Sequence, residues 1–246
     1  MVTAADHPVR ALFRELDGLR YPDGVTATRA LVEGPEFFPG GCGLWSAERG
    51  KAWPAAPVRG VLVLGHNLDS VESYTRNVAT GGLCRGPTWR NLGLLVDAAG
   101  IPRADCFLTN FFMGCGPNQV GAFPGAKDPE FVAACASVLR TTIRLLTPRA
   151  VLVLGGHTWR HLHAVAPELA VWRRIRTFSE VDHQDVAVLR AAVDGAPPFG
   201  ITTVVHPSGA DMGGNRNKRR YRGLAGIEAE AAAVREAVAL GSSPVS

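Results

Sequence analysis

Four short apolar segments, each running straight into Gly or polar residues, constrain this chain more than any other feature. Val61-Leu62-Val63-Leu64-Gly65 leads into His66-Asn67-Leu68-Asp69-Ser70, and Cys106-Phe107-Leu108-Thr109 ends in Asn110. Val151-Leu152-Val153-Leu154 opens into Gly155-Gly156-His157, and Ile201-Thr202-Thr203-Val204-Val205 ends in His206-Pro207-Ser208. Short apolar runs rich in β-branched residues and bounded by such residues read as buried strands. Helical patterns between them are long enough to cross over, so the strands belong to a mostly parallel sheet. In open α/β sheets ligands bind at the carboxyl ends of strands. Asn67, Asp69, Asn110, His157 and His206 are therefore expected to converge from distant parts of the sequence.

The intervening sequence fills in the helices. Val9, Leu12, Phe13 and Leu16 give helical spacing within His7–Leu19, whereas Tyr21–Pro57 is rich in Gly and Pro and is expected to wrap the surface. The first strand is expected over Arg59–Gly65. Thr88 can cap a helix carrying Trp89, Leu92, Leu95 and Val96 that stops at Gly100. The second strand spans Cys106–Thr109, and Met113–Lys127, with four Gly and two Pro, reads as loop. Asp128-Pro129-Glu130 starts a helix with Pro in its first turn, running to about Leu146. The third strand is Ala150–Leu154, with a short helix from His157. Val171–Pro198 is weakly patterned, suiting a β-hairpin or an added helix. Ile201–Val205 is the fourth strand, and a helix over Leu224–Leu240 closes the fold. The expected architecture is a three-layer α/β/α arrangement on a mostly parallel four-stranded sheet. Residues 1–58 form a helix and wrapping segment of the same domain, 59–240 its body and 241–246 a tail.

A chain of 246 residues, 46% hydrophobic and 20% charged, can bury a full core and is not disordered. It has no apolar run of membrane-spanning length and no signal-peptide pattern at Met1–His7. A cytoplasmic monomer without membrane association is the expectation. Five scattered cysteines fit reduced thiols. The net charge of +4 is mild, but Arg216, Lys218, Arg219, Arg220 and Arg222 crowd together shortly after His206. Such a run is either a solvated surface or a phosphate-binding one.

These residues resemble the uracil-DNA glycosylase superfamily. Gly65-His66-Asn67 after its strand is similar to the first motif. Gly82-Leu83-Cys84 and Gly86-Pro87-Thr88-Trp89-Arg90-Asn91-Leu92 are similar to the stacking segment and Pro-rich loop. Leu108-Thr109-Asn110 resembles the uracil-reading strand, and His206-Pro207-Ser208 the second catalytic motif. The resemblance spans about Arg59 to Gly223. It implies a glycosylase that flips a damaged or deaminated base from DNA and hydrolyses its N-glycosidic bond with water, without metal or cofactor.

The resemblance assigns roles that the chemistry can bear. Asn110 offers both a donor and an acceptor to the edge of uracil, beside His66. His206, neutral among strand ends, can donate to the base oxygen as charge builds. Asn67 falls at the water-placing position, where the best-known branch has Asp. Asp69 stands where that branch has Tyr, and it is a base, an orienting group or a helix cap. The stacking position falls near Cys84 or Arg85, with Trp89 or Phe111 as substitutes. Ser208 and Met212 match the loop that enters the minor groove, Met212 as the wedge. Arg216, Lys218, Arg219, Arg220 and Arg222 would meet phosphates. Plainer roles stay open: Asn110 as a strand-end amide, His206 as a core-edge histidine.

Some superfamily branches carry an iron–sulfur cluster, but Cys42, Cys115 and Cys135 do not complete a four-cysteine set. His157, His161 and His163 contain a pair at helical spacing without the usual Glu. Two further readings stay open: a nucleic-acid-binding member with little catalysis, and a metallohydrolase built on His66, Asp69, His157 and His206.

Overall fold

The four apolar segments form adjacent strands of one sheet. The structure, a computed structural model, describes residues 9–28, 36–45, 55–81, 86–117, 122–208 and 214–243. In chain order its elements are α1 (Val9–Asp17), β1 (Val61–Ser70), α2 (Val71–Thr80), α3 (Pro87–Ala98), β2 (Cys106–Gly116), α4 (Pro129–Leu146), β3 (Ala150–Leu154) and α5 (Gly156–Trp159). They continue as α6 (Phe178–His183), β4 (Val188–Ala191), β5 (Phe199–Val204), α7 (Gly214–Lys218), the small ribbon β6 (Arg220–Tyr221) and β7 (Leu224–Ala225), and α8 (Gly226–Ser242).

Five strands order as β2-β1-β3-β5-β4. The pairs β1–β2, β1–β3 and β3–β5 are parallel, and β4 closes the edge antiparallel to β5. The fifth strand comes from the weakly patterned stretch, which supplies both a hairpin arm and the short helix α6. Period-two alternation divides the core. Leu62, Leu64, Phe107, Val151, Val153 and Ile201 pack on one side with α4 residues such as Phe131 and Leu139. Val61, Val63, Leu108, Leu152 and Val204 pack on the other with Leu92, Leu95 and Val96 of α3 and Ala231 and Val234 of α8. No described helix is long and apolar enough to cross a membrane.

Two strands outrun their expected ends. β1 continues through Ser70 and β2 through Gly116, so Met113–Gly116 is strand rather than loop. Backbone pairing makes a ladder, and the polar side chains after Leu64 do not interrupt it. Gly65 pairs with Asn110, Asn67 with Phe112 and Ser70 with Gly116, with irregular register after Asn67. β3 pairs with β1 only over Val61–Leu64. Beyond that point β1 and β2 form a two-stranded arm, and Asn67 and Asp69 lie on it.

The outer edge of β2 is covered rather than bare. Phe38 N–H donates to Leu108 O, Asn110 N–H to Phe38 O and Leu108 N–H to Gly43 O. Unpaired strand edges invite association, and a covering segment removes the opportunity. This part of the Gly- and Pro-rich stretch was expected to wrap the surface. Instead Phe38 and Cys42 are wholly buried.

The helix ends show which caps operate. Asp128 accepts from the N–H groups of Glu130 and Phe131, as expected. Gly86 rather than Thr88 precedes α3, with Pro87 in its first turn. Ser70 rather than Asp69 caps α2, its Oγ accepting from Ser73 N–H at 3.2 Å.

A buried charge cluster joins β5 to the segments that follow it. Glu230 of α8 is fully buried, and its Oε1 accepts from Val205 N–H at 2.7 Å. Its Oε2 accepts from Arg216 Nε at 2.7 Å, and Arg219 lies 3.5 Å from Oε1. Arg219 also donates to Thr203 O at 2.9 Å and pairs with Asp182 of α6. Removing one member of a buried pair leaves charge uncompensated, at a cost of about 3–5 kcal/mol. Glu230→Ala is therefore expected to lower stability by about that amount in denaturant titration. A change within experimental error would show that the cluster bears no weight.

Candidate active site

The carboxyl ends of β2, β1, β3 and β5 share one edge of the sheet, which brings Asn110, Asn67, His157 and His206 to that edge. Adjacent strands lie about 4.8 Å apart, so these residues stand on neighbouring strand ends rather than on separate faces.

Asn110 is 4% exposed. Its Nδ2 donates to Phe38 O at 3.4 Å, and among the described residues its Oδ1 takes no hydrogen bond. Gly65 makes room for that oxygen: a Cβ at position 65 would lie 2.3 Å from Asn110 Oδ1. The amide is held at one end with a free acceptor at the other. The Phe37 ring approaches the same spot, 3.7 Å from that Cβ position. Phe37 packs edge-on against Trp89, which meets Trp45 in turn. Sequence reasoning passed over Phe37 because it lies in the Gly- and Pro-rich segment.

His206 is half-buried at the end of β5. Its Nδ1 accepts from Ser208 N–H at 3.2 Å. An accepting Nδ1 carries no proton, so the neutral ring presents its proton on Nε2. The ring packs beside Gly155, where a Cβ would come within 3.1 Å of His206 Cβ. Asn91 of α3, 6% exposed, donates from Nδ2 to Pro207 O at 3.0 Å and fixes the turn after the histidine.

His66 and Asn67 act as a pair. His66 Nδ1 and Asn67 Oδ1 lie 2.8 Å apart, and Asn67 Nδ2 donates to Leu68 O and Asp69 O, each at 3.3 Å. Burial pushes the His66 pKa down to about 4, against the pull of the Asn67 bond, with His157, His161 and His206 adding to the depression. A neutral His66 then donates from Nδ1 to Asn67. Its ring meets Phe112 at 5.0 Å and His157 at 5.8 Å, in an aromatic cluster that also holds His161 and Phe123. Asp69 is exposed, and its Oδ2 accepts from Ser73 Oγ at 2.6 Å.

Other expected site residues are placed differently. Phe111 is fully buried with its ring stacked on His161, so it is not open to a base. Arg216 and Arg219 lie inside the protein on Glu230 and Asp182, because a run of cations does not reveal which of them turns inward. These two do not face a phosphate. Lys218, Arg220 and Arg222 are exposed, Arg222 paired with Glu236 at 3.2 Å. Ser208 is half-buried with its N–H on His206. Cys84, Arg85 and Met212 lie outside the described residues.

Metal chemistry finds no ligand set here. Among the described residues no group of three His, Cys, Asp or Glu side chains is placed to hold a metal, so the quartet His66, Asp69, His157 and His206 does not assemble. Cys42, Cys106, Cys115 and Cys135 form no disulfide, and burial pushes their thiols up to about 11 or 12. Among the described residues no three of these cysteines are placed to hold a metal.

The family model of the uracil DNA glycosylase superfamily matches residues 61–225, from the first residue of β1 to the end of β7. The chain belongs to this superfamily. The matched span covers more than half of the chain and includes every strand of the main sheet. Comparison with curated proteins finds no significant match. Membership is of a superfamily of DNA glycosylase type, and the pocket at the strand ends is its candidate active site.

One buried acid near this pocket was not anticipated. Glu36 accepts from Phe37 N–H at 2.9 Å and from Asn77 Nδ2 at 2.7 Å. Burial lifts its pKa from 4.5 to about 7, with the Phe37 bond opposing and the nearby Asp69 charge adding. Ionising it costs folding free energy. That cost is absent below about pH 4.5 and grows as the pH rises to about 7. His66 works in the opposite sense: its neutral form adds stability above about pH 6.5, lost as the pH falls toward 4. Glu36→Gln is therefore expected to raise the melting temperature relative to wild type by an increment that widens from pH 4.5 to 7. A pH-independent difference in thermal melts would show that this carboxyl does not titrate there.

Proposed function

We propose that this protein is a DNA glycosylase that hydrolyses the N-glycosidic bond of uracil, or of another deaminated or damaged base, by attack of water. The observation that carries the reading is the hydrogen bond from Ser208 N–H to His206 Nδ1, which leaves the ring proton to Nε2. A neutral ring holds its proton on Nε2, at the same sheet edge as the free Oδ1 of Asn110. In this scheme Asn110 Oδ1 accepts from N3–H of the base, and its remaining N–H donates to O4. The Phe37 ring supplies the flat apolar wall. As the C1′–N1 bond breaks, its electron pair leaves with the base. His206 Nε2–H then donates to O2, where negative charge collects. A water oxygen forms the new bond to C1′.

Asn67 and Asp69 divide the handling of that water. Asn67 Oδ1, oriented by His66, has a second lone pair that can hold a water hydrogen but cannot take its proton. The exposed Asp69 carboxylate can take it. DNA is the proposed partner, with Lys218, Arg220 and Arg222 as exposed cations beyond the pocket. A second reading, a nucleic-acid-binding member with little hydrolysis, is favoured by one observation: each end of the Asn67 amide already holds a partner inside the protein.

Excision assays on single- and double-stranded oligonucleotides carrying uracil, hypoxanthine, xanthine or oxidised pyrimidines separate the two readings. His206→Ala should cut excision roughly 10²- to 10³-fold while DNA binding persists. If Asn67 places the water, Asn67→Ala should slow the reaction and Asn67→Asp should alter its pH profile. If Asp69 is the base, Asp69→Asn should abolish activity and Asn67→Ala should matter little. Full activity in both His206→Ala and Asn67→Ala would overturn the mechanism.

Gly65 offers a separate check on base reading. Gly65→Ala places a methyl group against Asn110 Oδ1, and crowding of this kind typically costs about 1–3 kcal/mol. Excision should fall toward that of Asn110→Ala. Unchanged excision with an unchanged melting temperature would show that the amide is not the reader.

A further inference from the structure

Among the described residues, one group of unpaired cations lies where the sequence did not advertise it. Arg160, Arg173, Arg174 and Arg176 line a cleft of about 770 Å³, with Ile175 as its floor. All four are exposed, and among the described residues none forms an ion pair. The run after His206 differs: Arg216 and Arg219 are buried on carboxylates and Arg222 is paired. Arg103 and Arg149 are paired as well.

The backbone beneath the cleft is held by buried tryptophans. Ile175 is 2% exposed, and its carbonyl accepts from the indole N–H of Trp159, itself 1% exposed. Wholly buried Trp172 donates from its indole to Val186 O and accepts at its own carbonyl from Ile175 N–H. Two tryptophans thus fix the backbone that carries Arg173, Arg174 and Arg176. The nearby acids are engaged otherwise: Glu180 takes the backbone N–H of Arg176, and Asp182 takes Arg219.

Contacts lead from this cleft to the candidate active site. His206 packs on Gly155, Gly155 opens into α5, α5 ends at Trp159, and Arg160 follows. Four guanidiniums gathered in one cleft repel one another and focus a positive potential, which the Glu180 carboxylate beside Arg176 offsets only in part. An extended polyanion relieves that repulsion, and guanidinium suits phosphate oxygens better than ammonium does.

We propose that the Arg160, Arg173, Arg174 and Arg176 cleft is a phosphodiester-binding track that holds the DNA backbone flanking the base in the pocket. This rests on the DNA reading above. Each neutralised phosphate adds roughly 0.9 to the slope of log affinity against log salt for duplex DNA. The test measures that slope for a fluorescent 20-base-pair duplex without a damaged base. The variants are Arg173→Gln/Arg174→Gln/Arg176→Gln and the charge-keeping Arg173→Lys/Arg174→Lys/Arg176→Lys. The Gln triple should lower the slope by roughly 2 to 3, and the Lys triple should keep most of it. A wild-type slope in the Gln triple overturns the track, and excision of uracil by the wild type would leave the glycosylase reading intact. Equal loss in both triples, with their melting temperatures unchanged, also overturns a charge-based track. If the wild type binds through the cleft but excises no base, the track stands and the glycosylase reading falls. No binding of DNA by the wild type overturns both.

Discussion

The carboxylate of Glu230 is the interaction on which the His206 end of this fold depends. Burying it is costly, and its position is stable only because Arg216, Arg219 and the Val205 N–H supply compensation together. Those partners are not arbitrary. Val205 immediately precedes His206, Arg216 belongs to α7 and Arg219 reaches to α6. One buried group thus fixes the end of β5, the helix on which α8 packs and the point where the chain returns after the His-Pro-Ser turn. Burial raises the pKa of Glu230, and the two guanidiniums and the Val205 N–H offset part of that rise.

A second level of order is local to the pocket. Asn91 holds Pro207, His66 holds Asn67 and Phe38 holds Asn110, each by a hydrogen bond to the residue it orients or to its neighbour. Side chains that would contact a base are thereby positioned before any ligand arrives. Groups held in place in this way act on a ligand without first rearranging.

Much of this was legible in the sequence. Apolar runs ending in Asn, His and Gly gave the sheet and the edge that carries the pocket, because buried strands need continuous apolar side chains. Strand length was less legible. Polar residues from His66 onward suggest a loop, yet backbone pairing with β2 continues through them. The basic run misled more seriously, since charge alone does not distinguish a solvated arginine from one facing a buried carboxylate. The partner was visible in principle: Glu230 sits among Ala229, Ala231, Ala233, Val234 and Ala237 on the buried part of α8. An acid in an otherwise apolar helix stripe calls for a cation. Phe37 and Glu36 gave no such signal, because irregular segments have no period from which burial can be read.

The arm formed by β1 and β2 beyond Leu64 has a consequence for motion. There β1 loses β3 as a neighbour and, among the described strands, keeps its backbone pairing with β2 alone. Protein segments with fewer supporting contacts open at lower free energy than central strands. Amide protection should therefore decline along β1 from Leu64 to Ser70, while Val151–Leu154 and Ile201–Val204 exchange only with global unfolding. Asn67 and Asp69 then sit on the more compliant part of the sheet, and His206 follows one of its most rigid strands.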